Sequence, residues 1–498
     1  MRRSAKLVFL LSLFALACAK ERAPIDRTQP NALDKHDFAG EWYYGRTVVD
    51  VPPALSPTFV GNTTYQGLDR VRWDVQENYL YARRSFEKVK NADVTYTTDD
   101  KGAVTIAPGV SDPNYKGAVV AAYPIISHFD IKRAYNPTTG EEYNVLEENS
   151  SDRPWYERRY MRVDWSVNRA SNFEFLLEVD QEPISYYVQD NKENPDKDAP
   201  VFDPPQYDAA GKLTHRGYFD ITNALMYSPK TITLPYFDFK IPFCLFFGRE
   251  TEECTSAPLK VRHAFWQVDP DHQYVPQPFK GKVTDHFGII TVDRLKYDPE
   301  QGINERNRET WAQLHNLWKK WLDDEGNVLA PKDRGVQPMV YYAIGWPDDL
   351  MPVLKSVEKA WNEIFQRVVA AAIGQDKYDG QVFRICHSPV RDDDDHDLCG
   401  ETGFAARIGD IRYSSVVYVP EFYDGFRLLG FGPSNVDPLT GEVLSASAYL
   451  YSWNNIVTQT AIEQLQLLNG DIDPFIKTYL MQKSSGTLGQ GLPDADDE

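Results

Sequence analysis

The chain has no excess of basic charge, no apolar run long enough to cross a membrane and few cysteines, and each shortage removes a class of function. Its 498 residues carry 53 Lys and Arg against 73 Asp and Glu, a formal net charge of -20. No basic surface is left to neutralise a phosphate backbone, so nucleic acid is excluded as a partner. The apolar run 7–17 falls short of the roughly 20 residues that span a bilayer core about 30 Å thick. There is no G-x-S-x-G elbow, no P-loop and no G-x-G-x-x-G turn, and so no signature of a serine hydrolase, a nucleoside triphosphate site or a dinucleotide site. With 73 acids, any pair chosen as glycosidase carboxylates is uninformative.

What is present points to an exported, strand-rich globular protein. Apolar residues make up 42% and charged residues 25%, with 11 Trp, 29 Tyr and 25 Phe; this composition builds cores, and the length allows two or three domains. Arg2, Arg3 and Lys6 precede the apolar run, and 14–18 reads FALAC. Residues 1–18 are therefore expected to be a lipoprotein signal peptide and lipobox, with Cys18 acylated and the protein held at the bacterial cell envelope, on the outer membrane or cell surface. An ordinary secretory signal cut near Ala17 or Ala19 is the competing reading. The other four cysteines fall in two local pairs, Cys244 with Cys254 and Cys386 with Cys399. In an oxidising compartment these read as disulfides, each worth about 3 kcal/mol. A four-cysteine zinc site is the alternative, without any C-x2-C spacing to support it.

Taken in order, 19–37 is a polar tether. A β-rich domain is expected over 38–205, from alternating runs such as EWYYGRTVVDV (41–51) and WYERRYMRVDWSV (155–167), with a Pro-Gly turn at 136–141. The stretch 206–335 is expected to be strand-rich and to end in an amphipathic helix over 305–323, where Trp311, Leu314, Leu317, Trp318 and Trp321 recur at three and four. His315 falls among them and is expected to be a packed residue. An α/β module follows over 336–483. It comprises a strand at 338–344, a helix at 353–373 with Val357, Trp361, Ile364, Phe365 and Val368 on one stripe, strands at 381–386, 411–419 and 443–451, and a helical stretch at 456–468. Pro352 suits the first helical turn and Gly374 the stop. Residues 484–498 form an acidic tail expected to be disordered. The fold class is α+β, an antiparallel β-rich domain followed by a strand, long helix, strand module.

Three segments of that module, YYAIGWPDDLMPVLKSVEKAWNEIF (341–365), DIRYSSVVYV (410–419) and GPSNVDPLTGEVLSASAYLY (432–451), resemble the large exported zinc-dependent metalloproteases of bacteria, of the zincin or metzincin type. DFAGEWYYGRTVVDVP (37–52) extends the resemblance less specifically. The resemblance implies a partial zincin-like module whose edge strand borders a substrate cleft, with Ser445, Ala446 and Ser447 on that edge. A zincin also needs H-E-x-x-H on one helix, so that two imidazoles meet Zn²⁺ while the glutamate polarises water. Of the nine histidines no two are four apart and none precedes a glutamate. No catalytic residue carries over. The expected function is that of an exported metalloprotease relative, truncated or divergent, without catalytic competence in this chain. Zinc is expected only if a missing active-site segment is supplied. A non-catalytic surface lipoprotein for binding or assembly is the alternative, and a secreted hydrolase acting through acids is a third reading. Expected partners are the membrane, through the lipid, and a protein or peptide. One acidic loop, CHSPVRDDDDHDLC (386–399), offers Asp393, Asp395 and His396 as ion ligands, although a solvated, disulfide-closed loop explains it as well. DPDH (269–272) reads as a turn.

Overall fold

The computed structural model describes residues 22–50, 67–86, 89–90, 96–98, 104–106, 117–166, 168–170, 180–187, 200–228, 231–234, 239–242, 257–279, 286, 288–298, 302–420, 430–452 and 460–466. It is a mixed α+β protein, dominated by strands, with one long helix among the described residues. Contacts divide the chain into two units. One comprises 1–39, 74–81 and 123–164, and the other 40–73, 82–122 and 165–498. The expected signal segment, Cys18, Cys244, Cys254 and the acidic tail lie outside the described residues.

The smaller unit is antiparallel for the most part. Residues 130–135 pair with Glu142–Asn149, and 125–129 pair with Tyr160–Val163. The turn between the first pair forms as its residues dictate. Asn136 Oδ1 accepts from Thr138 N at 2.9 Å, and Gly140 takes φ +72°.

Two of the sheets in the larger unit frame the site. The first contains β1 (Glu41–Asp50), β2 (Asp69–Val75), β3 (Tyr218–Ser228) and β4 (Ala257–Gln267) in the antiparallel order β2-β1-β4-β3. Its register aligns Tyr44, Phe265 and Phe219 across three strands on one face and Tyr43, Trp266 and Tyr218 on the other. Tyr44 stacks on Phe265 with centroids 4.4 Å apart, and Phe265 on Phe219 at 4.7 Å. Such ladders combine large burial with favourable ring geometry. Both faces are covered: Trp42, Tyr43 and Tyr44 are all buried, where simple alternation would leave one face wet.

Beyond this sheet lie β5 (Thr291–Asp298), β6 (Gly302–Ala312) and β7 (Leu314–His315). The helix expected over 305–323 is not formed. Residues 302–312 pair antiparallel with β5, and 314–315 join a further strand. The three- and four-residue recurrence of Trp came from irregular chain folding back on itself. Trp321 packs edge-on against Tyr274, and Arg334 lies 4.2 Å from the Trp321 ring. Asn316 Oδ1 accepts from Trp318 N and Trp321 Nε1. Tertiary contacts overrode a weak periodic signal.

The second sheet contains β7, β8 (Met339–Ile344), the helix α1 (Met351–Ile373), β9 (Phe383–Ser388), β10 (Ser414–Val419), β11 (Gly430–Phe431), β12 (Ser434–Val436) and β13 (Glu442–Tyr451). The order is β7-β13-β10-β8-β9, every neighbouring pair parallel, with β11 and β12 antiparallel to β13. Helix α1 begins with a proline in its first turn and ends on Gly374 at φ +71°, whose N–H closes on Ala370 and Ala371 carbonyls.

The face of α1 that packs differs from expectation. Met351, Leu354, Glu358, Val369 and Ala370 are buried, whereas Val357, Trp361, Ile364 and Val368 are 38–51% exposed. The cause is polar. Glu358 turns inward to accept from Ile385 N at 3.1 Å, Arg384 at 3.1 Å and Lys355 at 3.2 Å. Asn362 accepts from Val382 N and Phe383 N. Buried backbone donors at the β9 edge must be satisfied, and these two side chains set the helix rotation that does so.

Candidate ligand-binding cleft

The turn 437–442, DPLTGE, is the hub from which the site is built. Asp437 Oδ1 accepts from Leu439 N at 2.9 Å, and its carbonyl accepts from Gly441 N at 3.0 Å. Gly441 sits at φ +78°, and a Cβ there would meet the Ala312 carbonyl at 2.6 Å, so only glycine fits. The Asp437 carboxylate is 1% exposed and accepts from Arg70 Nη2 at 2.7 Å. Asp437, Tyr43 and Glu41 hold the Arg70 guanidinium charged despite its burial. The turn thereby ties β13 to the aromatic sheet.

Glu442, the last residue of the turn, is buried and accepts from His272 Nε2 at 2.7 Å and Asn316 Nδ2 at 3.0 Å. It borders a cleft of about 410 Å³, inside the usual size range of small-ligand pockets. The cleft opens at the starts of the parallel strands, with Met339 and Val340 of β8, Ser414 of β10 and Val443 and Leu444 of β13 in its wall. Opposite them stand Tyr43, Trp266, Arg216, Arg412 and Tyr413.

The two guanidinium groups of the cleft differ. Arg412 lies 3.6 Å from the Tyr218 ring and is neutralised by Asp410, through Nε at 3.0 Å and Nη2 at 2.8 Å. Arg216 has its guanidinium carbon over the Trp266 ring, 3.4 Å from the centroid, with its Nε donating to the Gln267 carbonyl at 2.6 Å. Among the described residues no carboxylate comes within ion-pair distance of it. Burial lowers its pKa to about 10, partly offset by Tyr43, Asp269 and Glu442; at neutral pH it remains a cation. His315 also faces the cleft. Burial lowers its pKa to about 4, and its Nε2 is 3.1 Å from the Tyr341 hydroxyl, so it is the packed, neutral residue expected.

The sequence-derived candidates do not meet here. Ser445, Ala446 and Ser447 lie on β13, but β13 is no cleft edge. It is paired with β10 on one side and with β7, β12 and β11 on the other. Ser445 is 1% exposed and donates to the Ile411 carbonyl at 2.7 Å. The arm at 430–436, for which no strand was expected, supplies covering strands. Cys386 and Cys399 are disulfide-bonded. In the loop they close, the buried acid is Asp394, which accepts from His387 N, Arg391 N and His387 Nδ1; Asp393 is exposed and Asp395 half-buried. His396 has its two ring nitrogens at the Gly400 and Asp392 carbonyls, which raises its pKa and favours the protonated, non-ligating ring. Among the described residues no group of three or more His, Cys, Asp or Glu could hold a metal ion, and no helix is long and apolar enough to cross a membrane.

The cleft residues Arg216, His272, Arg412 and Glu442 went unnoticed in the sequence because they are scattered over more than 200 positions. One local signal existed. The DPDH turn forms, with His272 N donating to the Asp269 carbonyl at 3.1 Å, and it aims His272 at Glu442. No family model, no curated protein and no solved structure matches this chain. The cleft is therefore interpreted from its own chemistry.

Proposed function

We propose that the chain is an exported, lipid-anchored relative of the bacterial zinc metalloproteases whose frame serves binding instead of peptide hydrolysis. The observation that carries the reading is the order of the parallel sheet: strand, long helix, strand, strand, an antiparallel arm, then β13. The first four of those elements follow the order that the metalloprotease resemblance implies before a zinc helix, while β13, paired on both sides, stands where the resemblance implies an exposed edge strand. The segment that follows, helical over 460–466, carries Glu463 but no histidine, so the metal-ligand pair the chemistry needs has no source there. Lipidation at Cys18 would hold the protein at the envelope, with a protein or peptide as its partner.

Elemental analysis of the purified full chain, with a casein-hydrolysis assay, tests the reading. The expected result is less than stoichiometric zinc and no hydrolysis that EDTA abolishes. Stoichiometric zinc with EDTA-sensitive cleavage would overturn it. Labelling with a radioactive fatty acid checks the anchor, with incorporation lost in Cys18→Ser.

A further inference from the structure

We propose that the cleft between the aromatic sheet and the starts of β8, β10 and β13 binds an organic carboxylate with an apolar body, and that Arg216 holds the carboxylate. The proposal is independent of the metalloprotease relationship, because the cleft is lined at the starts of the parallel strands and uses no residue after β13. Arg216 is held by two contacts, the Trp266 ring 3.4 Å from its guanidinium carbon and the Gln267 carbonyl on Nε. Its two terminal amino groups make no hydrogen bond to the described residues, and neither is sealed from the cavity. A preorganised guanidinium fork with free parallel donors matches a carboxylate bidentately. Stacking on an aromatic face leaves those donors in place while removing the entropy cost of ordering a flexible arginine.

The remaining walls define the rest of the ligand. Met339, Val340, Val443 and Leu444 offer apolar surface, and Tyr43 and Tyr413 offer ring faces. Asp269 and the Glu442–His272 pair also border the cleft. The Asp269 carboxylate accepts from Asp271 N at 2.9 Å and makes no ion pair with Arg216. These acids disfavour a polyanion such as a phosphate, whose extra charge would face them, and leave room for one carboxylate at the fork. In a chain of net charge -20, Arg216 supplies a local cation in the cleft. The hydrophobic C-terminus of a peptide and a free aryl or alkyl acid share the required chemistry.

Titration calorimetry on the full chain, with N-acetylphenylalanine and its amide as probes, tests the assignment. The acid is expected to bind and the amide to bind about 10- to 100-fold more weakly, the effect of losing a charge-assisted bidentate contact. This comparison needs no variant. Arg216→Gln should lose a similar factor for the acid and none for the amide, with Arg216→Lys between the two and thermal unfolding confirming that each folds. A tripeptide ending in Phe separates the sources: tighter binding than the single amino acid assigns a peptide terminus, and weaker binding assigns a small acid. Equal binding of acid and amide, no binding of any probe at millimolar concentration, or stronger competition by inorganic phosphate than by acetate overturns the proposal.

Discussion

The two sheets that frame the cleft, the aromatic sheet and the parallel sheet, handle buried polar groups by opposite means. The aromatic sheet buries charge. Asp220, Arg262 and His263 are at most 4% exposed, and Asp220 accepts from Arg407 at 3.1 Å and from the Tyr218 hydroxyl at 2.7 Å. The parallel sheet keeps an apolar core of Ala343, Met351, Leu354, Ile385 and Val416 under its helix, and the carboxylate that α1 turns towards it, Glu358, is committed to backbone and to charges at its margin. An antiparallel sheet covered on both faces must accommodate polar positions inside, whereas a helix-covered parallel sheet can be apolar throughout. The first sheet should accordingly be sensitive to the loss of a partner, and the second to the loss of volume.

The largest expected effect comes from Asp220→Ala. Removing the carboxylate takes from Arg262 and Arg407 the acid they share, at a cost of about 3–5 kcal/mol by urea denaturation. A loss under about 1 kcal/mol would break the contrast between the sheets. Acid comes next. His263 accepts or shares a hydrogen bond with the Tyr44 hydroxyl at 2.7 Å, and burial, with Arg46 nearby, lowers its pKa to about 3. Because the folded pKa lies below the unfolded value, this stability is complete above about pH 6.5 and is lost as pH falls towards 3, at about 1.4 kcal/mol per pH unit. His315, on a strand of the second sheet, stops contributing near pH 4. Unfolding free energies measured from pH 7 to 3.5 should show the slope fall by one proton in His263→Gln across the whole window, and in His315→Gln only above pH 4. Identical profiles would remove the distinction. The smallest effects sharpen the rotation of α1: Leu354→Ala should cost about 2–4 kcal/mol and Trp361→Ala less than about 1 kcal/mol. The reverse ranking would put the helix the other way round.

Much of the framework was legible in the sequence because local chemistry and tertiary structure agree there. The strands at 41–50, 339–344 and 442–451 and the turns at 136–141 and 437–442 follow from alternation, β-branching and Gly-Pro placement. The existence of α1, its proline start and its glycine stop were equally plain. Its orientation was not, since Glu358 and Asn362 look like solvent-face residues until β9 presents unsatisfied N–H groups to them. The 305–323 stretch misled because tryptophans spaced like a helix are also spaced like a chain that doubles back around Asn316. The edge of β13 was misassigned because nothing local in 430–436 announces that it pairs. The cleft was invisible for a further reason: Arg216, His272, Arg412 and Glu442 belong to four separate elements, and each alone is an ordinary surface-type residue.

The sequence by itself determined the charge balance, the strand-rich composition, the order of elements and the absence of an imidazole pair four residues apart, since these are properties of composition and spacing. Only the tertiary structure decided which face of α1 is buried, that β13 is covered on both sides, and that one guanidinium, over the Trp266 ring, faces a cavity with no carboxylate within ion-pair distance among the described residues. Those outcomes depend on which backbone donors and which charges meet across long separations, and no local pattern encodes that.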